Sequence, residues 1–214
     1  MKSIKILVMI CIILISTLGI KIYISNKDVN SYSKEDVINL LEKGNKYNNY
    51  YCKYTLMDNN EIMRFVKGEK QKIIGNDLII QIDRKENKKL ILKPSTKTGV
   101  MMNLDSKANL ESINNYLSDF LEDIKENAIS FKFDGRENIN IFKCIVVEVT
   151  FEKDYIYNSK KVWIDNKSGL IVKTLIEMAD HTKWDIDYNL KLDSVIDSDV
   201  EISNLSEFNI TNIE

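Results

Sequence analysis

Two aspartates near the C-terminal end have the residue type and spacing of a small catalytic or cation-binding pair. Asp185 and Asp187 are separated by one residue in a run of strand-forming residues, so both side chains leave the same face of the predicted strand. Paired carboxylates can bind a cation or carry out acid–base chemistry. The simpler interpretation, which we favour, is that the pair lies on the solvated outer face of a sheet.

His181 is the single histidine of the chain and lies in the segment MADHTKWD, where a hairpin loop is expected between two strands. A catalytic histidine needs a nucleophile or a carboxylate that is held against its ring, and a neighbour on a loop, here Asp180, is not held in this way. One histidine and two distant cysteines also do not make a zinc site. We therefore predict that His181 is an exposed loop residue.

Asp165 lies in the segment KVWIDNKSGLIVKTLIEM, residues 161–178, which has the pattern of a strand, a tight turn and a second strand. An aspartate at the end of a strand commonly accepts hydrogen bonds from backbone N–H groups of the turn that follows. The sequence offers no partner that would recruit Asp165 to catalysis. We therefore expect it to shape the turn.

The remaining polar and aromatic clusters have structural explanations. Three acidic residues of the second predicted helix are expected to face water: Glu122, Asp123 and Glu126. A tyrosine cluster could stack on sugars or bases, but we expect it to seal the junction between the first helix and the first strand: Tyr47, Tyr50, Tyr51 and Tyr54. The sequence therefore predicts no catalytic, cofactor-binding or metal-binding residue, and no enzyme.

The overall composition is that of a folded domain. The chain has 214 residues, of which 44% are hydrophobic, and this suffices for one packed domain with a small appendage. It carries 30 basic and 32 acidic residues, with a net charge of −2. This balance does not favour nucleic acid as a partner, because nucleic-acid-binding proteins usually carry a basic excess.

The N-terminal segment has the features of a membrane anchor. Lys2 and Lys5 precede an uncharged apolar run, and residues 4–24 are long enough to span a bilayer if Lys21 reaches the interface. The segment lacks a good cleavage site, and Cys11 does not follow a small residue as a lipidated cysteine would. We predict an uncleaved signal anchor over residues 1–24, a linker over 25–32, and a single-pass protein of the cell membrane with its globular domain extracytoplasmic.

Two further cysteines, Cys52 and Cys144, fall in predicted strands that are far apart in the sequence. An exported domain could join them in a disulfide. We favour two buried free thiols, because a single pair does not make a disulfide framework.

The order of the predicted elements indicates an α+β fold. Ser33 begins a helix with capping-box spacing to Asp36, and the helix ends between Gly44 and Asn48. About six short strands follow, then a second helix over residues 106–126 with an apolar stripe, then about five strands. Because helices and strands do not alternate, we expect one curved antiparallel sheet of about 10–11 strands, a half-barrel, with both helices packed on its concave face. This domain spans residues 33–200, and residues 201–214 form a polar tail.

The hairpin and the strand after it, VWIDNKSGLIVKTLIEM and TKWDIDYNLKLDSVIDSDV, resemble the LolA-like superfamily of exported proteins. In that superfamily a W-I-D, turn, G-L-x-x-K hairpin belongs to a half-barrel with helices in its hollow. The matching residues here are Trp163, Ile164, Asp165, Gly169, Leu170 and Lys173. Within the superfamily the chain is most similar to clostridial germination lipoproteins of the GerS type, although it lacks their lipidated cysteine.

The resemblance implies a binding protein. The first expectation is a membrane-tethered, extracytoplasmic, non-enzymatic adaptor that supports a cell-wall hydrolase, such as a spore-cortex amidase, in sporulation or germination. The alternative is a carrier or sensor that holds a lipid or acyl chain in the hollow of the sheet. A carrier needs an open apolar hollow. An adaptor can have a hollow filled by Leu117, Phe120 and Leu121, and would instead expose an apolar patch or a strand edge.

Overall fold

The structure, a computed structural model, describes residues 31–56, 59–104, 116–202 and 204–213. The predicted anchor, residues 1–24, and most of the predicted linker lie outside these residues. No helix within the described ranges has both the length and the apolar character needed to cross a bilayer.

The described ranges contain three α-helices and thirteen strands. The helices are α1 (Lys34–Asn45), α2 (Tyr116–Glu122) and α3 (Asp197–Val200), and a π-helical turn (Asp123–Asn127) continues α2. The strands are β1 (Asn49–Thr55), β2 (Glu61–Lys67), β3 (Lys70–Gly75), β4 (Leu78–Asp83), β5 (Lys88–Lys93), β6 (Thr98–Asn103), β7 (Ala128–Ile139), β8 (Phe142–Phe151), β9 (Tyr157–Asp165), β10 (Ile171–Met178), β11 (Lys183–Asp187), β12 (Asn189–Leu192) and β13 (Asn209–Ile213).

The strands form two hydrogen-bonded sheets that meet at one residue. The first has the order β12-β1-β2-β3-β4-β5-β6-β13 and the second the order β11-β10-β9-β8-β7. Only Tyr188 separates β11 from β12, and its N–H donates to the carbonyl oxygen of Val172 at 2.9 Å. The chain therefore passes directly from one sheet into the other, and the described strands do not close a barrel.

The predicted α+β class is confirmed, but the predicted strand arrangement needs correction. Six strands precede α2, as expected, and seven rather than five follow it. The run predicted as one last strand bends at Tyr188 into β11 and β12. The polar tail contributes β13, which pairs in parallel with β6, so the first sheet is not wholly antiparallel and extends past residue 200. The polar composition concealed β13, because this strand is held by hydrogen bonds to its neighbour and not by an apolar face of its own.

The core lies between the two sheets and the first two helices. Buried side chains of both sheets, of α1 and of α2 form one continuous cluster. Val37 and Leu41 of α1 are fully buried, and Phe120 of α2 is nearly so. The predicted capping box is present at the start of α1: Ser33 Oγ accepts from Asp36 N, and Asp36 Oδ2 accepts from Ser33 N at 2.9 Å. The helix ends at Asn45, within the predicted interval.

The segment after β12 covers the opposite face of the first sheet. Lys72 on β3 donates to the carbonyl oxygen of Glu201, and Gln81 on β4 donates to that of Val200, both at 2.9 Å. Val195 and Val200 of this segment are buried. The predicted tail is therefore packed against the domain and stabilises its far edge through β13.

Two glycines allow α1 to contact the turn between β9 and β10 directly. A Cβ atom on Gly44 would lie 2.2 Å from the carbonyl oxygen of Gly169, and one on Gly169 would lie 2.0 Å from that of Leu40. Gly169 also has a φ of +79°, which other residues rarely adopt. Both obstacles are backbone atoms, so no rotamer change can relieve the contact.

We therefore expect Gly44→Ala to lower the free energy of unfolding by about 1–3 kcal/mol, the usual range for overpacking a tight contact. The sign is informative, because alanine normally stabilises a helix relative to glycine. Urea unfolding followed by circular dichroism measures the effect. Lys43→Ala, exposed in the same helical turn, is the control and should change stability by no more than about 0.5 kcal/mol. A more stable Gly44→Ala variant would contradict the close approach.

Candidate functional site

A partly enclosed cavity of about 290 Å³ lies between α2 and the inward faces of β1, β9, β10 and β11. This volume is close to the lower end of the range for small-molecule sites, about 300 Å³. Aromatic and aliphatic residues supply most of its wall. The lining residues are Tyr54, Leu56, Asn76, Asp119, Phe120, Tyr157, Lys160, Thr174, Ile176, Trp184, Ile186 and Tyr188.

Strand register brings the lining residues together. Ile176 on β10 lies opposite Lys160 on β9 and opposite Trp184 on β11. Residues opposite each other in neighbouring strands share a face of the sheet, so these three form one row across the cavity wall. Thr174 and Ile186 lie opposite each other in the next row. The cavity is therefore built from residues that are separated in sequence but adjacent in the sheet.

A buried polar network lies at one side of the cavity. Lys160 is 7% exposed, and its ammonium group forms an ion pair with the carboxylate of Asp123, which is 4% exposed. The hydroxyl of Tyr155 donates to the second oxygen of Asp123 at 3.0 Å. The ammonium group also lies 3.7 Å from the ring centroid of Tyr157, a cation–π contact. These extra contacts offset part of the cost of removing two charges from water.

Burial sets the electrostatics of the charged groups at the cavity. It lowers the pKa of Lys160, against the opposite effect of Asp123. Burial also raises the pKa of Asp119, and the charge of Lys160 acts in the other direction. The cavity therefore presents one cation and nearby carboxylates to any polar group that enters it.

Two tyrosines, one on β1 and one at the junction of the two sheets, meet at the cavity wall. The rings of Tyr54 and Tyr188 lie 5.1 Å apart, and Tyr188 is hydrogen-bonded to the side chain of Thr174. Burial raises the pKa of Tyr54 to about 12 and also raises the pKa of Tyr188. Both phenols stay protonated at neutral pH, so they can donate hydrogen bonds but do not act as bases.

The described part of the second helix, from Tyr116 onward, fills only part of the hollow. Phe120 is 3% exposed and packs in the core, and Leu121 packs partly buried against it. The side chain of Leu117, the third residue predicted to fill the hollow, lies outside the described residues. Because a cavity remains beside Phe120, the site is suited to a molecule with an apolar part and a polar group.

The residues that the sequence suggested for chemistry lie elsewhere. His181 is in the turn between β10 and β11, as predicted, with its side chain 80% exposed and Nδ1 3.3 Å from Glu177 Oε1. Asp185 and Asp187 lie on the outer face, where both approach the ammonium group of Lys173, at 2.7 and 3.5 Å. This confirms the solvated face predicted for the pair. None of the three residues lines the cavity.

Asp165 has the predicted structural role. Its Oδ2 accepts from the backbone N–H of Ser168 at 2.8 Å and from the Ser168 hydroxyl at 2.7 Å. Asp165 is buried, so these bonds replace the water that its carboxylate loses. The carboxylate is used to shape the hairpin turn.

The prediction that Asp123 faces water is wrong. Glu122 and Glu126 are exposed as expected, but Asp123 is buried against Lys160. The helix changes from α to π geometry after Glu122, and the wider turn places both Asp123 and Ile124 in the core. Lys160 could have indicated a buried carboxylate, because a cation at an inward strand position requires a buried partner. Whether the Lys160 side chain points inward depends, however, on strand register.

The tyrosine cluster is divided between two environments. The ring centroids of Tyr47 and Tyr50 lie 6.4 Å apart at the junction of α1 and β1, which confirms the sealing role for these two residues. Tyr51 is on the other face, 5.0 Å from Phe65, and Tyr54 lines the cavity. The expected common role therefore does not extend to Tyr51 or Tyr54.

The two described cysteines are free and buried, as favoured from the sequence. Burial raises the pKa of Cys144 to about 11, so its thiol is unreactive at neutral pH. No group of three histidine, cysteine, aspartate or glutamate side chains in the described ranges is arranged to hold a metal ion.

Solved structures share the fold. An uncharacterized conserved protein from Thermus thermophilus is 6% identical with a TM-score of 0.55, over 85% of this chain and all of the other. A complex of MucA and MucB from Pseudomonas aeruginosa is 13% identical with a TM-score of 0.55, over 84% of this chain and 64% of the other, so this chain spans less than two thirds of that protein. These likenesses show a common fold.

A LolA superfamily protein from Nitrosomonas europaea is also similar in structure, at 13% identity and a TM-score of 0.29 over 77% of this chain and 96% of the other. No family model matches the sequence, and no curated protein is significantly similar to it. The finer resemblance to GerS-type lipoproteins stays a prediction.

Proposed function

We propose that the protein is an extracytoplasmic binding protein, without catalytic activity, that holds the apolar part of a ligand in the cavity beside α2. The observation that supports this most directly is the cavity of about 290 Å³ that the described residues enclose beside α2. The tether through residues 4–24 and the location outside the cell membrane belong to the same proposal. Of the two roles implied by the resemblance, the carrier or sensor therefore takes first place.

The cavity wall indicates how such a ligand binds. An acyl chain would pack on Ile176, Ile186 and the aromatic rings, because burying apolar surface is the main source of affinity in such sites. A polar end would meet the charged groups of Asp119 and Lys160. Since the phenols of the wall are protonated, they would donate to ligand oxygens.

The test is binding of a fluorescent acyl probe, dansyl-undecanoic acid, to the full chain purified in a non-binding detergent. We expect saturable binding that Ile176→Trp weakens about tenfold or more, because the larger side chain occupies the cavity. Ile129→Trp is the matched control: Ile129 is 62% exposed on β7, away from the cavity, and its variant should bind normally. Absence of saturable binding, or equal loss in both variants, would rule out the carrier role.

The adaptor remains the second candidate, because the second sheet has a long exposed edge. Among the described strands β7 pairs with β8 alone; it extends over twelve residues and exposes Ile129. An edge strand of this kind can accept a strand from another protein. MucB, which has a similar fold, has been solved in complex with MucA. The partner class implied by the resemblance, a spore-cortex amidase, stays a prediction.

Copurification from native membranes separates the two candidates. A stoichiometric cell-wall amidase that is lost in an Ile129→Lys variant would favour the adaptor, whereas bound lipid without such a protein would favour the carrier. A His181→Ala variant that is folded but has lost the biological activity of the protein would contradict both the carrier and the adaptor and would indicate catalysis.

A further inference from the structure

A second cavity, of about 510 Å³, lies where the end of α1 meets β1 to β4. It shares no lining residue with the apolar cavity. Its wall is strongly polar and includes three cationic side chains that come from three separate elements: Lys46, Arg64 and Arg84. Glu69 is the only carboxylate among its described lining residues. This concentration of positive charge is local, since the chain as a whole has a net charge of −2.

The two arginines are held in place by neighbouring side chains. Arg64 lies in the middle of the first sheet, is 2% exposed and is hydrogen-bonded to the phenol of Tyr50. The side-chain oxygen of Gln71 accepts from both terminal nitrogens of Arg84, at 2.6 and 2.9 Å, in the amide orientation that satisfies both groups. Fixed guanidinium groups lose little freedom when an anion binds.

Two of the three cations are not ion-paired with any carboxylate of the described residues. Among the described residues, neither Lys46 nor Arg84 forms an ion pair. Lys46 follows the last residue of α1, where the negative end of the helix dipole attracts a cation. The dipole therefore offsets part of the positive charge of Lys46. Arg84 is therefore the principal group available to an anion.

We propose that this cavity binds a phosphate ester, whose phosphoryl oxygens accept hydrogen bonds from Arg84 while the positive charges of Arg64 and Lys46 add to the attraction. Arginine forks match the geometry of phosphoryl oxygens and bind them in bidentate fashion. A phosphate alone is much smaller than the cavity. The amides of Asn45 and Asn48 and the ring of Tyr47 suit a hydroxyl-bearing body such as glycerol or a sugar.

Such an ester could be a soluble molecule or the head group of a phospholipid, and two titrations distinguish these sources. The full chain in neutral detergent is titrated by calorimetry with glycerol 3-phosphate and, separately, with dihexanoyl phosphatidylglycerol below its micellar concentration. Glycerol is the uncharged comparison. We expect saturable binding of at least one phosphate compound, weakened by salt, and none of glycerol. Tighter binding of the lipid identifies a head group, and tighter binding of glycerol 3-phosphate identifies a soluble ester.

Four variants test the assignment of residues. Arg84→Gln should weaken binding about tenfold and Lys46→Gln several-fold, because each removes a charge from the wall. Glu69→Gln should strengthen binding, because it removes the single carboxylate. Lys143→Gln, an equal charge change at an exposed position of β8, should leave affinity within about twofold. The Arg84 side chain is exposed, so loss of binding there does not reflect misfolding.

The proposal is overturned if no phosphate compound binds saturably, or if Lys143→Gln weakens binding as much as Arg84→Gln, since the effect would then come from overall charge. These outcomes are independent of the acyl-probe experiment, because Ile176→Trp lies in the other cavity. Loss of phosphate binding in Ile176→Trp would likewise contradict two separate sites.

Discussion

Replacing Trp163 with alanine is expected to lower the free energy of unfolding by about 3–5 kcal/mol, as for other large aromatic residues in protein cores. Trp163 is 7% exposed and belongs to the main core cluster. Its Nε1 donates to Glu137 Oε2 at 2.9 Å. The ammonium groups of Lys161 and Lys173 lie over its ring, 5.4 and 5.8 Å from the centroid. Alanine would remove these contacts together and leave a cavity.

Because domains are stable by only about 5–15 kcal/mol, this loss should unfold much of the protein and abolish all binding activities together. Urea unfolding followed by intrinsic fluorescence and circular dichroism measures it. Trp163→Phe keeps most of the apolar contact and should lower the free energy of unfolding by less than Trp163→Ala does. Three exposed substitutions are controls and should stay within about 0.5 kcal/mol: His181→Ala, Asp185→Ala and Asp187→Ala. A Trp163→Ala protein as stable as these controls would show that the hairpin tolerates the cavity.

Removing one partner of the buried ion pair should have an effect of similar size. Lys160→Met leaves the carboxylate of Asp123 buried with only the Tyr155 hydroxyl as a described hydrogen-bond donor. An unpaired buried charge typically costs about 3–5 kcal/mol. Asp123→Leu should cost a comparable amount for the same reason, because it leaves a buried ammonium group without its carboxylate.

The double variant Lys160→Met/Asp123→Leu distinguishes this explanation from simple loss of packing. Replacing both charges with apolar groups removes the unpaired charge, so the double variant should be more stable than either single variant. Urea midpoints of the four proteins give the coupling energy. Additive losses would show that the pair is not energetically coupled. Lys161→Met, which loses its ion pair with Asp134 on the partly exposed outer face, is the matched control and should cost much less.

Local patterns in the sequence predicted several features accurately. The capping box placed the start of α1 at Ser33, and strand formers between turn residues located β1 to β6. The Asp165 turn, the exposed loop at His181 and the outer face at Asp185 were also correct. Each of these depends on residues within a few positions of one another, so the physical cause is contained in the local sequence.

The features that decide function depend on distant residues. The helical pattern of the sequence predicts that Asp123 faces solvent. Only the π-helical turn and the inward position of Lys160 show that it is buried. The polar composition of the tail does not predict a strand, and only the pairing with β6 shows that β13 belongs to the sheet. The second cavity collects cations that are about twenty positions apart, which no local motif marks.

The sequence by itself determined the α+β class, both ends of α1 and most strands, because periodicity, capping and turn chemistry are short-range. The first part of the predicted second helix, residues 106–115, lies outside the described residues. The tertiary structure alone decided which inward-facing side chains of different strands lie next to one another. Strand register and the wide turn after α2 bring Asp123 to Lys160 beside one cavity, and the end of α1 brings Lys46 to the cavity that Arg64 and Arg84 line. Strand register and helix placement follow from packing of the whole core, so the two candidate binding sites could not be derived from any single segment.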